Sequence, residues 1–242
     1  MREWAGKRYW LIGASEGLGR SLAIAMSKTG CQLVLSARYE ERLTALANEL
    51  PGRAEVKPLD VGDAAAVEQA GAELGEIDGM SYLAGVYWPI DAKAWDTAQA
   101  EAMCDINMMG AIRSVGAVLP AMLARGSGHI VLTGSLSGFR GLPGAVGYGA
   151  SKAGLMSLAE TMRFDLRGTG VDVQLANPGF IRTRLTDKND FKMPFIMEPD
   201  DAAQSMMDLM NTARFNVSYH WAFASIFRLS QFMPNWLYYR IF

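Results

Sequence analysis

Tyr148 and Lys152 stand four residues apart in the run Tyr148-Gly149-Ala150-Ser151-Lys152, and Ser135 lies thirteen residues upstream, at the end of His129-Ile130-Val131-Leu132-Thr133-Gly134. A phenol, an ammonium and a hydroxyl in this order can converge on one point. Residues four apart on a helix share a face, so Lys152 can lie beside the Tyr148 ring. A free tyrosine titrates near roughly 10, and a nearby cation favours the phenolate, moving the group toward a range useful for proton transfer at neutral pH. A buried tyrosine beside a surface lysine gives the same spacing, so the pair needs support from the elements that would position it.

Those elements follow from the apolar pattern. Strand-length runs at Tyr9 to Ile12, Gln32 to Leu35, Ala54 to Lys57, Ile77 to Leu83, His129 to Thr133 and Val171 to Ala176 alternate with segments of helical period. Helices are expected over Leu18 to Thr29, Glu40 to Leu50, Ala64 to Leu74, about Trp95 to Leu123, and Gly147 to Leu166. The strands are too apolar to face water on either side. The alternation therefore predicts an α/β fold, a doubly wound Rossmann-type parallel sheet with helices on both faces. Ser135 then closes the fifth strand, and Tyr148 and Lys152 lie on the helix that follows.

With 242 residues, half of them apolar, the chain can bury a full core, and one domain over residues 1–242 is expected. The formal charge of −2 and the lack of a basic block argue against a nucleic-acid partner. Cys31 and Cys104 are distant in sequence and belong to no metal-type cluster, so no metal site is expected and the thiols read as reduced. Residues 1–8 lead straight into an apolar run without the pattern of a signal peptide, which predicts a cytoplasmic protein. No window reaches eighteen consecutive apolar residues, which argues against a spanning helix.

Directly after the first strand comes Gly13-Ala14-Ser15-Glu16-Gly17-Leu18-Gly19-Arg20, opening a helix. Glycines there permit a tight turn and close approach of main chain to a pyrophosphate, while the helix N-terminus offers unpaired N–H groups. At the end of the second strand, where an acidic residue would accept from a ribose 2′-hydroxyl, the chain has Ser36-Ala37-Arg38. A guanidinium can hold a 2′-phosphate by paired, charge-assisted hydrogen bonds, so NADP is expected in preference to NAD. The alternative pairs Arg38 with Glu41.

With the glycine turn, Ser135, Tyr148 and Lys152 in this order, the chain resembles the short-chain dehydrogenase/reductase family over roughly residues 6–184. Asp60-Val61 after the third strand, Asn107 in the long helix, and Pro178-Gly179 followed by Thr183 fall where that family would place them. The resemblance implies Tyr148 as general acid/base, with Lys152 lowering its pKa and binding the nicotinamide ribose. It implies Ser135 as the group that polarises the substrate oxygen and Asn107 as the holder of a water in a proton relay. It brings Ser15 and Leu18 of the glycine turn, Ala84 and Gly85, Asp60 and Val61, and Pro178, Gly179, Ile181 and Thr183 to the coenzyme. For each an alternative stands: Asn107 bonding helix main chain, Asp60 capping the next helix, Thr183 capping a lid helix, Ser137 replacing Ser135. The chain departs from the family at Ile12, usually threonine, and at Tyr82-Leu83, usually two asparagines that stitch loops around the coenzyme.

Residues 185–212 read as a mobile substrate lid and a helix, the latter signalled by Glu198-Pro199-Asp200-Asp201. Leu142, Pro143, Phe180, Phe191, Met193, Phe195 and Met197 are expected to wall the substrate pocket, which predicts a hydrophobic carbonyl or alcohol. Residues 213–242 form an aromatic tail with scattered arginines, a candidate for peripheral membrane contact or for packing on the protomer or a partner subunit. The resemblance implies a homodimer or homotetramer. A nucleotide-binding sensor or scaffold with little turnover is the competing reading.

Overall fold

The computed structural model describes residues 2–188 and 192–241. Seven parallel strands form one sheet in the order β3-β2-β1-β4-β5-β6-β7. They are β1 (Arg8–Ile12), β2 (Gln32–Ser36), β3 (Ala54–Val56), β4 (Gly79–Tyr82), β5 (Gly128–Thr133), β6 (Val171–Asn177) and β7 (Asn216–Ser218). The order reverses between β1 and β4, which opens a crevice beyond their carboxyl ends, the place where such sheets bind ligands.

Alternating side chains of the same strands feed two apolar layers, as the period of two requires. Leu11, Leu33 and Leu35 face one layer with Leu22 and Met26 of α1 (Gly17–Ser27), Leu43 of α2 (Glu40–Glu49) and Met206 of α7 (Pro199–Met210). Trp10, Ile12, Val34 and Met80 face the other, with Val67 of α3 (Ala64–Glu73), Val115 of α5 (Gly110–Arg125) and Leu155 of α6 (Val146–Asp165). Ile12, where the family usually has threonine, is thus a buried core residue.

The structure departs from the sequence expectations at two elements. β7 is a seventh strand inside the segment read as a tail; three residues of mixed polarity, half-buried, give no period to detect. The long helix is interrupted: α4 (Thr97–Cys104) passes through a wider π turn at Asp105–Met109 into α5. The run Thr97–Arg125 is long and apolar enough to cross a membrane by length and composition. Its inner side packs in the core and Arg113 pairs with Asp105 at 2.8 Å, so it serves here as a core helix.

One polar group is buried in the middle of the sheet. His129 of β5 lies between the Tyr9 hydroxyl, 2.9 Å from Nδ1, and Gln174 Oε1, 2.8 Å from Nε2. The Gln174 amide nitrogen already donates to the Leu209, Thr212 and Arg214 carbonyls. Its oxygen therefore accepts from His129 Nε2–H, and Nδ1 accepts from Tyr9, the arrangement of a neutral imidazole. Burial pushes the His129 pKa down to about 3.

Candidate active site

The chain leaves β1 through a turn that only glycine can make at this spacing. Gly13 has φ +93°, and a Cβ there would strike the Ala84 main chain; a Cβ on Gly19 would strike the Gly13 carbonyl. Gly17 has φ +54°, and a Cβ on it would come within 2.8 Å of Thr183 Cγ2, so the turn and the segment after β6 face each other across a narrow gap. The result is a cleft of about 230 Å³ at the strand-order reversal.

Every residue assigned to the coenzyme from sequence lines this cleft. They are Gly13, Ser15, Gly17, Leu18 and Gly19 of the turn, Arg38, Asp60 and Val61 after β2 and β3, Ala84 and Gly85 after β4, Tyr148 and Lys152, and Pro178, Gly179, Ile181 and Thr183 after β6. The fit to a dinucleotide rests on the glycine cradle and on Thr133 Oγ1, a buried hydroxyl in the cleft wall without a hydrogen-bond partner among the described residues. Thr183 stands at the start of the turn Thr186–Lys188, its carbonyl accepting from Thr186 N at 2.9 Å and Asp187 N at 3.1 Å while its own N–H donates to Thr186 Oγ1 at 3.0 Å. One alternative falls away: Asp63, not Asp60, caps α3 by accepting from Ala66 N at 3.0 Å. Asp60 instead accepts from Gly62 N at 2.9 Å.

At the far end, Tyr148 and Lys152 occupy successive turns of α6. Lys152 is buried, donates to the Thr133 carbonyl at 2.8 Å, and sits 5.7 Å from the Tyr148 ring centroid. Burial pushes its pKa down to about 8. The expectation that Lys152 draws the phenol pKa down is not met by this geometry: burial raises Tyr148, the Ser135 hydrogen bond opposes the rise, and the edge of Tyr87 adds to it. The reason is that the ammonium is directed to the Thr133 carbonyl, while both groups share one dry environment that disfavours charge.

Asn107 lies in the π turn, fully buried, where such turns often mark functional positions. Its Oδ1 accepts from Val86 N at 2.8 Å, and its Nδ2 donates to the Val86 carbonyl and to Ser151 Oγ, both at 3.0 Å. Ser151 in turn donates to the Tyr148 carbonyl at 2.8 Å. The Asn107 side chain thus ties the segment after β4 to α6, and it bonds that segment and Ser151 rather than its own helix main chain. A Cβ on Gly85 would lie 3.4 Å from Asn107 Oδ1 and 3.9 Å from Lys152 Nζ, which puts the Gly85 main chain against both.

Tyr82 supplies a stitch of its own. Its hydroxyl donates to the Ile106 carbonyl at 2.5 Å, linking the end of β4 to the π turn, and Gly110 leaves the room: a Cβ there would collide with that hydroxyl. The family's usual asparagine is absent, yet the strand end and the turn are still joined.

A second cavity of about 140 Å³ lies on the other side of Tyr148, which lines both. Ser135 opens into this one, where its Oγ also accepts from Ser137 N at 3.2 Å. Leu142, Pro143 and Phe180 wall it as expected. Met193, Phe195 and Met197 do not: Met197 pairs main chain with Phe180 and Arg182 and packs toward the core, and Phe195 turns to His220 and Phe223. Phe191 lies outside the described residues. The wall is completed by Tyr87 and by Phe223 and Phe227 of α8 (Trp221–Ser230), side chains contributed by a neighbouring loop and by the tail.

The family model for short chain dehydrogenase matches residues 7–193. The chain belongs to the short-chain dehydrogenase family. An uncharacterized oxidoreductase of Myxococcus xanthus is 38% identical over 245 residues, covering 98% of this chain and 97% of its own length. Sulfoacetaldehyde reductase 2 of Chromohalobacter salexigens is 39% identical over 184 residues, 73% of each chain. A short-chain dehydrogenase from Sphingobium yanoikuyae, solved in complex with NADPH, superimposes with a TM-score of 0.82 at 27% identity over 89% of each chain. This short-chain dehydrogenase is an NAD(P)-dependent oxidoreductase.

Sequence reasoning missed three features of the site. Ser151 sits inside the Tyr148–Lys152 motif, and its position three residues after Tyr148 on a helix was the available signal. Glu16, in the glycine turn, pairs with Arg42 at 3.0 Å and with Arg184 at 2.5 Å, holding the two rims of the cleft together. The Thr133 carbonyl that holds Lys152 belongs to main chain and leaves no side-chain signature.

Proposed function

We propose that this enzyme interconverts a carbonyl and an alcohol on a hydrophobic small molecule, using NADP in preference to NAD, with Tyr148 as general acid/base. One observation carries the reading: Tyr148 lines both the coenzyme cleft and the apolar cavity, so its hydroxyl stands where the two ligands would meet. The nicotinamide coenzyme, when bound, supplies or accepts the hydride. The rest is the work of this chain. Tyr148 and Ser135 both offer hydroxyls to the substrate oxygen, a donor pair for a developing alkoxide. Tyr148 gives its proton to that oxygen in reduction and takes it back in oxidation. Lys152 stands beside it, its pKa pushed down to about 8 by burial and its amine held by the Thr133 carbonyl, and Asn107 fixes the Tyr148 helix against the segment after β4.

Three observations support the finer assignments. Arg38 is exposed at the cleft rim beside the Tyr39 ring, at 5.7 Å, and among the described residues it has no carboxylate partner, Glu41 included. The Ser36 hydroxyl accepts from Trp10 Nε1 at 2.8 Å and is buried, so recognition at the end of β2 falls to Arg38. The apolar cavity has no charged side chain among its lining residues, so a sulfonate such as that named for the Chromohalobacter relative would meet no cation there. A cytoplasmic homodimer or homotetramer is proposed, on the exposure of Met109, Ile112 and Leu123 along the long helical run.

The test is a panel of aldehydes and ketones followed by NADPH absorbance. Aliphatic and aromatic carbonyls should turn over best, with NADPH ahead of NADH. Consistent superiority of small charged carbonyls would overturn the substrate class, and coenzyme binding with no turnover across the panel would favour a sensor.

A further inference from the structure

The segment after Asp208 carries a surface that neither cleft nor cavity uses. No Asp or Glu occurs in its 34 residues, while Arg214, Arg228 and Arg240 do. The preceding 208 residues hold 20 Lys and Arg against 25 Asp and Glu, so a body of charge −5 ends in a segment of charge +3. This asymmetry coincides with a division of faces. α8 buries Ala224, Phe227 and Ser230, and Arg140 clamps it to the protomer through the Ser230 carbonyl, the Met233 carbonyl at 2.9 Å and Asn235 Oδ1 at 2.8 Å. In α9 (Asn235–Ile241), Tyr238 is buried and donates to the Gly141 carbonyl at 2.6 Å. The inner sides are therefore fixed.

The outer sides are aromatic and exposed: Trp221 81%, Leu229 62%, Phe232 84%, Trp236 71% and Tyr239 77%. Trp221 and Leu229 lie on the face of α8 opposite its buried residues, Phe232 follows in the turn after it, and Trp236, Tyr239 and Arg240 share a face of α9. Exposed apolar area of this extent marks an interaction site rather than an ordinary surface. We propose that the outer faces of α8 and α9 dock the enzyme on an anionic lipid surface. Trp and Tyr bodies suit the headgroup region, and Arg228, whose polar contacts are the neutral Asn216 and Ser218 at 3.2 Å, keeps its charge for lipid phosphates. A second copy fits the face less well. A two-fold pairing of one patch on itself would bring two segments of charge +3 together, whereas an anionic lipid surface meets that charge with the opposite sign. Because Phe223 and Phe227 project from the inner side of the same helix, the apolar cavity would lie about one helix diameter, roughly 10–12 Å, from the lipid.

The test is co-sedimentation of the full chain with vesicles of mixed phosphatidylcholine and phosphatidylglycerol, and of phosphatidylcholine alone, read without any assay of turnover. The protein should pellet with the anionic vesicles, partitioning roughly tenfold more strongly than with neutral ones and less as salt is added. A Trp221→Ser/Phe232→Ser/Trp236→Ser variant should remain in the supernatant while binding NADPH normally, and Arg228→Gln/Arg240→Gln should lose the anionic preference. Recovery of the wild type in the supernatant with both vesicles, or equal pelleting with both, would overturn the proposal. So would concentration-dependent self-association that the triple variant abolishes, which would assign the face to a second copy.

Discussion

On one side of Tyr148 close-packed glycines bring main chain to the cleft wall, and on the other the cavity is walled by apolar side chains. The proposed coenzyme cleft depends on Gly13 and Gly19, where an added Cβ would strike main chain, on Gly17 at φ +54°, and on the end of β4 and Pro178-Gly179 beside them. The substrate cavity depends on Leu142, Phe180, Phe223 and Phe227, carried by three separate segments, one of them α8 in the tail. A main-chain wall tolerates little change and binds a constant ligand; a side-chain wall can be altered residue by residue without touching the sheet. On the proposed reading, that contrast lets one scaffold keep its coenzyme while its substrate differs.

Substitutions should therefore act on one side at a time. Gly19→Ala pushes a methyl into the Gly13 carbonyl, an overpacking of about 2–3 kcal/mol, and should weaken NADPH binding roughly 30- to 100-fold in a fluorescence titration. Binding of an apolar probe in the second cavity should survive; a parallel loss there would show that the walls are not independent. Arg38→Asp removes charge-assisted bonds worth about 1.5–3 kcal/mol and should shift the NADP/NAD preference roughly ten- to a hundredfold toward NAD. An unchanged ratio would move coenzyme recognition to Arg42.

A third expectation concerns β5, which carries both sites at its end. The His129 pKa falls from about 6.5 in the unfolded chain to about 3 when folded, so the unfolded chain binds the extra proton between those values. This stability is complete well above pH 6.5 and is lost as pH falls through it, by about 2 kcal/mol in total at pH 5. Denaturant melts should show this slope with coenzyme and cavity probes unfolding together, and His129→Gln should flatten it. The smallest effect is expected for Phe223→Ala, where a partly exposed ring gives up about 1 kcal/mol, or roughly a fivefold rise in KM for an apolar carbonyl. NADPH affinity should not move.

The same contrast governs what could be read from residue order. Gly13 to Gly19 announce the turn because only glycine satisfies its geometry, and the Tyr148–Lys152 spacing is local to one helix. Arg38 was readable as a coenzyme candidate because it follows the end of β2. The cavity was only half legible: Leu142, Pro143 and Phe180 lie near catalytic residues in the chain, but Phe223 and Phe227 arrive by tertiary packing of a distant helix, and Phe195 and Met197 are drawn elsewhere by His220 and the core. β7 and the π turn were hidden for a related reason. Three strand residues carry no period, and a single wider turn shifts helical phase too little to mark in sequence. The direction of Lys152 toward the Thr133 carbonyl could not be read at all, because a main-chain oxygen is common to every residue.

The most direct test of the central claim is a paired measurement on Tyr148→Phe: NADPH affinity by fluorescence and NADPH oxidation with the best carbonyl of the panel. The account predicts coenzyme affinity within about twofold of wild type and turnover reduced roughly 10²- to 10⁴-fold, the range of a lost general acid. Turnover near the wild-type rate with coenzyme bound would contradict it.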